Sequence, residues 1–166
     1  MITLGIDPGI ALTGFGVIEE KHDGTLHVIN FGVIRTSSDL SQADRLVTLY
    51  QRIKSLILLH QPDIGAVEKL FFERNVRTAL NVGQARGVAL LSMAESGLRI
   101  SEYTPLEVKQ AVVGYGGADK NQVQQMVKTI LNLEAIPRPD DAADALAVAI
   151  CHIHSAKIRN FYENST

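Results

Sequence analysis

The sequence predicts an α/β fold, a mixed five-stranded sheet flanked by helices, and three observations lead there. Three strand-like runs come first, two of them joined by an Asp-Gly pair, so the sheet opens as an antiparallel meander. Strand and helix then alternate, which calls for crossovers and parallel neighbours. The remainder of the chain has helical periodicity.

Ile2 to Asp7 reads as a strand ended by Pro8-Gly9. Thr13 to Lys21 and Thr25 to Arg35 are the next two, with His22-Asp23-Gly24 as the hairpin turn. Leu46, Leu49, Ile53, Leu56 and Ile57 fall at helical spacing from about Ser41 to His60, and Pro62 lies just beyond the stop. Ile64 to Leu70 is a short apolar strand that carries one acid, Glu68. A second helix is expected from Val76 to Ser96, closed by Gly97, and Leu98 to Tyr103 completes the strands. Thr104-Pro105-Leu106-Glu107 holds a cap residue, proline at the first helical position and Glu three residues after the cap, the pattern of a helix start. Gly114 to Gly117 breaks that helix, as either a connector or an adjustable loop, and Asp119 can cap another through about Leu131. After Pro137 and Pro139 a final helix begins at Asp140 or Asp141 and runs to about Lys157. No repeat or interdomain linker divides residues 1–166, so one domain is expected, with about 158–166 as a short tail.

Composition narrows the function classes. Hydrophobic residues make up 46% and charged residues 20%, which suits a packed core and argues against disorder. The apolar stretches are too short to span a bilayer and the first residues lack the pattern of a signal peptide, so a cytoplasmic protein is expected. The lone Cys151 sits in an apolar run and removes disulfides and cysteine-based zinc sites from consideration. A net charge of -2 is unlike many nucleic-acid binders, but the average hides a distribution. From Lys69 to Lys128 eight Lys and Arg face five acids.

Four acids stand out. Asp7 ends an apolar strand before Pro-Gly and Glu68 ends another, and strands seldom bury acids unless a cation compensates. Asp141 and Asp144 are spaced i, i+3 near a helix start, on one face, with two alanines between them. Asp140 points elsewhere and reads as a cap or first-turn acid. Each acid alone also fits turn or cap chemistry. Together, four carboxylates repel one another unless divalent cations join them. Oxygen-only ligands suit Mg²⁺, with Mn²⁺ as a substitute, and a pair of such ions can assist phosphodiester hydrolysis.

The motifs, taken as a set, resemble the RuvC Holliday-junction resolvases of the ribonuclease H-like superfamily. The matching segments are Gly5-Ile6-Asp7-Pro8-Gly9, Thr13-Gly14-Phe15-Gly16, Ala66-Val67-Glu68, Gly83-Gln84-Ala85-Arg86-Gly87, Val108-Lys109-Gln110 and Asp141-Ala142-Ala143-Asp144-Ala145-Leu146-Ala147, in family order over almost the whole chain. The resemblance implies a ribonuclease H-like fold and a homodimeric, magnesium-dependent endonuclease that nicks two opposed strands of a four-way junction in recombination and repair. It also implies Asp7, Glu68, Asp141 and Asp144 as the catalytic, metal-binding acids and RuvA and RuvB as branch-migration partners. Some relatives carry His where Asp141 stands, and Ile10 and Ala11 replace the polar or basic residues of others. Phe71 matches the position whose ring stacks on bases at the junction centre, a sequence-tolerant contact. Lys109 and Lys120 match basic positions that contact DNA or support catalysis, and phosphate neutralisation is the task open to them.

Phe72 has no assigned role. Arg74, Arg77 and Arg86 are further phosphate-binding candidates, although exposed arginine is common. His152 and His154 read as structural or surface residues. Gly83 and Gly87 share a helix face and permit close approach, either across a dimer or onto the sheet. The readings left open beside a resolvase are another ribonuclease H-like nuclease, a noncatalytic branched-DNA-binding module and a phosphotransferase of related topology.

Overall fold

The computed structural model describes the backbone of residues 1–69 and 76–163 and the side chains of residues 1–69 and 78–157. Phe71, Phe72 and Arg74 lie outside the described residues, as does the side chain of Arg77. The described elements, in chain order, are β1 (Ile2–Asp7), β2 (Leu12–Glu20), β3 (Leu26–Arg35), α1 (Gln42–His60), β4 (Ile64–Glu68), α2 (Val76–Glu95), β5 (Arg99–Tyr103), α3 (Pro105–Val113), α4 (Lys120–Ile130) and α5 (Asp140–Glu163). They build a five-stranded sheet in the order β3-β2-β1-β4-β5. The meander β1-β2-β3 is antiparallel, whereas β4 pairs in parallel with β1 and with β5.

Local chemistry sets the boundaries. Gly24 takes φ 83° in the β2-β3 turn, where the Asp23 carboxylate accepts the Thr25 amide at 2.9 Å. Ser41 caps α1, accepting the Asp44 amide at 3.2 Å. Thr104 and Glu107 form a reciprocal capping box at α3, as Asp119 and Gln122 do at α4. α5 continues past Lys157 to Glu163, so much of the expected tail extends this helix. No glycine or proline interrupts it there, and once a helix is nucleated each further residue adds a backbone hydrogen bond.

The period-2 alternation of the strands divides the core into two layers. Leu4, Ile6, Val17 and Val67 pack against Leu49 and Ile53 of α1 and Ala89 and Met93 of α2. On the opposite face Ile18, Ala66 and Tyr103 meet Val108, Val123, Leu146 and Ile150 from α3, α4 and α5. A fully buried leucine or isoleucine of this kind contributes about 1.5–3 kcal/mol. Cys151 belongs to the second layer, and desolvation pushes its thiol up to about 11, so it is inert core. His152 is buried there too, bonded to the Tyr103 hydroxyl at 2.9 Å, while His154 Nδ1 meets the Ala111 carbonyl at 2.9 Å. Both histidines are structural.

α5 approaches the sheet closely because the strands beneath it lack side chains. A β-carbon on Gly5 would lie 2.8 Å from the Ala149 amide nitrogen, and one on Gly14 would lie 3.2 Å from the Asp141 β-carbon. Each would also collide with a backbone carbonyl of α5, that of Ala145 or that of Asp141. These glycines and the buried Ala142, Ala143, Ala145 and Ala149 seat the start of α5 over the ends of β1 and β2.

Candidate active site

Asp7 and Glu68 close β1 and β4, which are parallel neighbours in the register Ile6↔Val67. Alternation turns both acids away from the Ile6 and Val67 layer and toward α5. Asp144 comes down from the first turns of α5, completing three walls of a cleft of about 210 Å³. Its other walls are Lys109, Pro105 and Val108 of α3, Lys120 and Val123 of α4, and Ala147 of α5. Asp141 borders this group, near enough for its charge to act on Asp7 and Asp144, but it does not line the cleft. A larger hollow of about 590 Å³ lies between the C-terminal ends of α1 and α2. Among the described residues no acid lines it, so the smaller cleft is the one with chemistry.

The carboxylates are electrostatically strained. Desolvation, followed by repulsion from Glu68, Asp144 and Asp141, raises Asp7 from 3.8 to about 8, against some relief from Lys120. Desolvation and then Asp144 raise Glu68 from 4.5 to about 7, with Lys120 and Lys109 opposing. Asp144 is also raised, first by desolvation, although Lys120 lies 3.0 Å from its Oδ2. Desolvation pulls Lys120 down, but its hydrogen bond to Asp144 and the charges of Asp144 and Asp140 raise it above its ordinary value. Near neutral pH the cluster therefore holds protons that ordinary carboxylates have lost.

A divalent cation could take the place of those protons, and an all-oxygen donor set suits a hard ion. Among the described residues no three Asp, Glu, His or Cys side chains already converge at ligand range. Lys120 supplies the positive charge beside Asp144, and ligation would require the carboxylates to turn inward.

Of the residues singled out in the sequence, Asp7, Glu68, Asp144, Lys109 and Lys120 meet in one cleft, and Asp141 sits at its edge. Arg86 does not join them. It pairs with Glu102 of β5, on the α2 side of the sheet, which leaves its charge compensated away from the cleft. Gly87 does not pack on the sheet, since a β-carbon there would meet nothing within 4 Å. Sequence reasoning missed Asp140 as a partner of Lys120, at 3.4 Å, and Arg138 as a partner of Asp140. The Arg138-Pro139-Asp140 spacing was the only signal available, and it says nothing about α4.

The family model described as crossover junction endodeoxyribonuclease RuvC matches residues 3–152. The chain belongs to the RuvC family. This RuvC-family chain is 58% identical over 154 residues to a crossover junction endodeoxyribonuclease RuvC of Roseiflexus sp., covering 93% of the chain and 91% of that relative. It is 56% identical over 156 residues to the protein of the same name from Caldicellulosiruptor saccharolyticus, covering 94% of each. The solved structure of Thermus thermophilus RuvC in complex with Holliday junction substrate superposes with a TM-score of 0.87 at 34% identity, over 95% of this chain and 96% of that one. The expected ribonuclease H-like α/β fold is borne out, and the family is one of metal-dependent nucleases.

Proposed function

We propose that the chain resolves Holliday junctions as a structure-selective endonuclease, hydrolysing phosphodiesters with Mg²⁺ or Mn²⁺ held by Asp7, Glu68, Asp141 and Asp144. The observation that carries this reading is the meeting of Asp7, Glu68 and Asp144 with Lys109 and Lys120 in one cleft, in a chain of the RuvC family. When bound, a pair of such ions would activate the attacking water and stabilise the leaving oxygen. The protein's own contribution is to hold the acids on rigid strand and helix ends. Lys109 and Lys120 neutralise phosphate at the cleft wall, and Val108, Val123 and Ala147 exclude water from one side. Phe71, outside the described residues, is proposed to stack on bases at the junction centre.

Opposed cuts call for two clefts related by a two-fold axis, hence a homodimer. The outward face of α2 suits a second copy. Leu80 and Leu91 are 63% and 59% exposed there, with Gly87 between them and the exposed Val47 and Leu58 on neighbouring α1. RuvA and RuvB as branch-migration partners, and a cytoplasmic location, complete the proposal. Among the described residues no helix is long and apolar enough to cross a membrane.

The test is incubation of purified protein with a synthetic four-way junction and with a linear duplex of matching sequence, each with and without Mg²⁺. Paired nicks in opposed strands of the junction are expected, only with metal. Failure of well-folded protein to cut junctions across salt and sequence contexts overturns the reading.

A further inference from the structure

Asp140 carries no role in the proposed site, yet its carboxylate is held in a defined orientation. Arg138 Nη1 binds one of its oxygens, Oδ1, and Lys120 Nζ lies 3.4 Å from the other, Oδ2. The same ammonium lies 3.0 Å from Asp144 Oδ2, so Lys120 bridges an acid inside the cleft and an acid outside it. The anchor points are themselves fixed. Lys120 is the first residue of α4, whose start is set by the Asp119-Gln122 capping box, and Asp140 is the first residue of α5. Gln124, buried one helical turn beyond Lys120, lies beside Asp140 outside strict hydrogen-bond geometry.

This bridge is a poor stability device. The Lys120 and Asp140 side chains are 55% and 41% exposed, and exposed ion pairs contribute little to folding. Its consequence is the placement of charge. With Asp144 as its only partner, Lys120 would compete directly with any cation for that carboxylate. A second acid outside the cleft changes the competition.

We propose that Asp140 is a positioning residue for Lys120, a second seat that lets the ammonium cede Asp144 to a divalent cation while staying at the cleft wall. The proposal rests on the metal-binding reading of the cleft. Removing Asp140 leaves Lys120 bound to Asp144 alone and so weakens metal binding through Lys120, not through Asp140's own field.

A double-mutant cycle on the full chain separates these causes, with Mn²⁺ binding followed by electron paramagnetic resonance in the absence of DNA. Asp140→Asn keeps side-chain volume and removes the charge. In the parent background it is expected to weaken Mn²⁺ binding roughly three- to tenfold, an interaction of the size found between contacting residues. In a Lys120→Met background the same substitution should change binding less than about twofold, because the competitor is gone. Asp140→Glu should restore most of the affinity, and melting temperatures should report the same fold throughout. An equal effect of Asp140→Asn with and without Lys120 overturns the proposal, since a general field or a folding defect acts in both backgrounds. If the parent binds no Mn²⁺ at all, the metal-binding reading falls and this inference with it, a different outcome from binding without coupling.

Discussion

Replacing Asp7 by Asn removes a strained charge and a proposed metal ligand together, so its effects on stability and on cutting should have opposite signs. Asp7 is raised from 3.8 to about 8 in the fold, chiefly by desolvation and then by Glu68, Asp144 and Asp141. The folded chain thus retains a proton that the unfolded chain has released above about pH 4. Stability from this group is full below the unfolded pKa and is lost as pH rises through the folded one. The slope is about 1.4 kcal/mol per pH unit. Between pH 5.5 and 7.5 the limit is about 2.7 kcal/mol, and since Glu68 titrates in the same cluster, a net loss of about 2 kcal/mol is expected. Asn has no such proton to lose. In chelator, Asp7→Asn should match the parent near pH 5.5 and exceed it by about 2 kcal/mol at pH 7.5, a shift of roughly 6 °C in melting temperature for a domain of this size. Mg²⁺ should stabilise the parent at pH 7.5 and leave the variant unchanged, while junction cutting is lost and junction binding kept. Urea or thermal melts at both pH values, with and without metal, make the measurement. A variant less stable than the parent at pH 7.5, or a parent whose stability does not fall with pH relative to the variant, refutes the reasoning.

Gly14→Ala should displace the start of α5, because its β-carbon meets the Asp141 backbone; overpacking costs of about 1–3 kcal/mol and a loss of cutting larger than the loss of junction binding are expected from melts and cleavage assays. Lys109→Ala should reduce the slope of log affinity against log salt by about 1 if Lys109 neutralises one phosphate, as measured by fluorescence anisotropy on junctions from low to moderate salt. Leu91→Glu should yield monomers in sedimentation equilibrium and abolish paired cutting, while a fold unchanged by circular dichroism and an unaltered dimer would remove the α2 face as the proposed interface.

The order of elements was legible because each rests on a local signal. Asp23-Gly24 marked the hairpin, Thr104-Pro105 and Asp119 marked two helix starts, and Asp7 and Glu68 stood out as acids at the ends of apolar strands. The i, i+3 spacing of Asp141 and Asp144 correctly put both near the start of α5. It did not reveal that Asp144 lines the cleft while Asp141 stands at its edge, because that depends on how α5 crosses the sheet. The far end of α5 was read as stopping near Lys157, since no local stop signal marks where a helix frays.

Arg86 shows the limit most clearly. Its charge was visible in the sequence, but its partner Glu102 comes from a strand brought alongside only by folding. Lys120 gained Asp140 and Asp144 in the same way, across the junction of α4 and α5. Residue types and periodicities sufficed for the strand ends that bear Asp7 and Glu68, because backbone geometry propagates along a strand. The balance of charge in the cleft arose from contacts between distant segments, where burial raises the carboxylates and a lysine from another helix answers them. Desolvation and pairing across space have no period along the chain, and no spacing rule could have shown them.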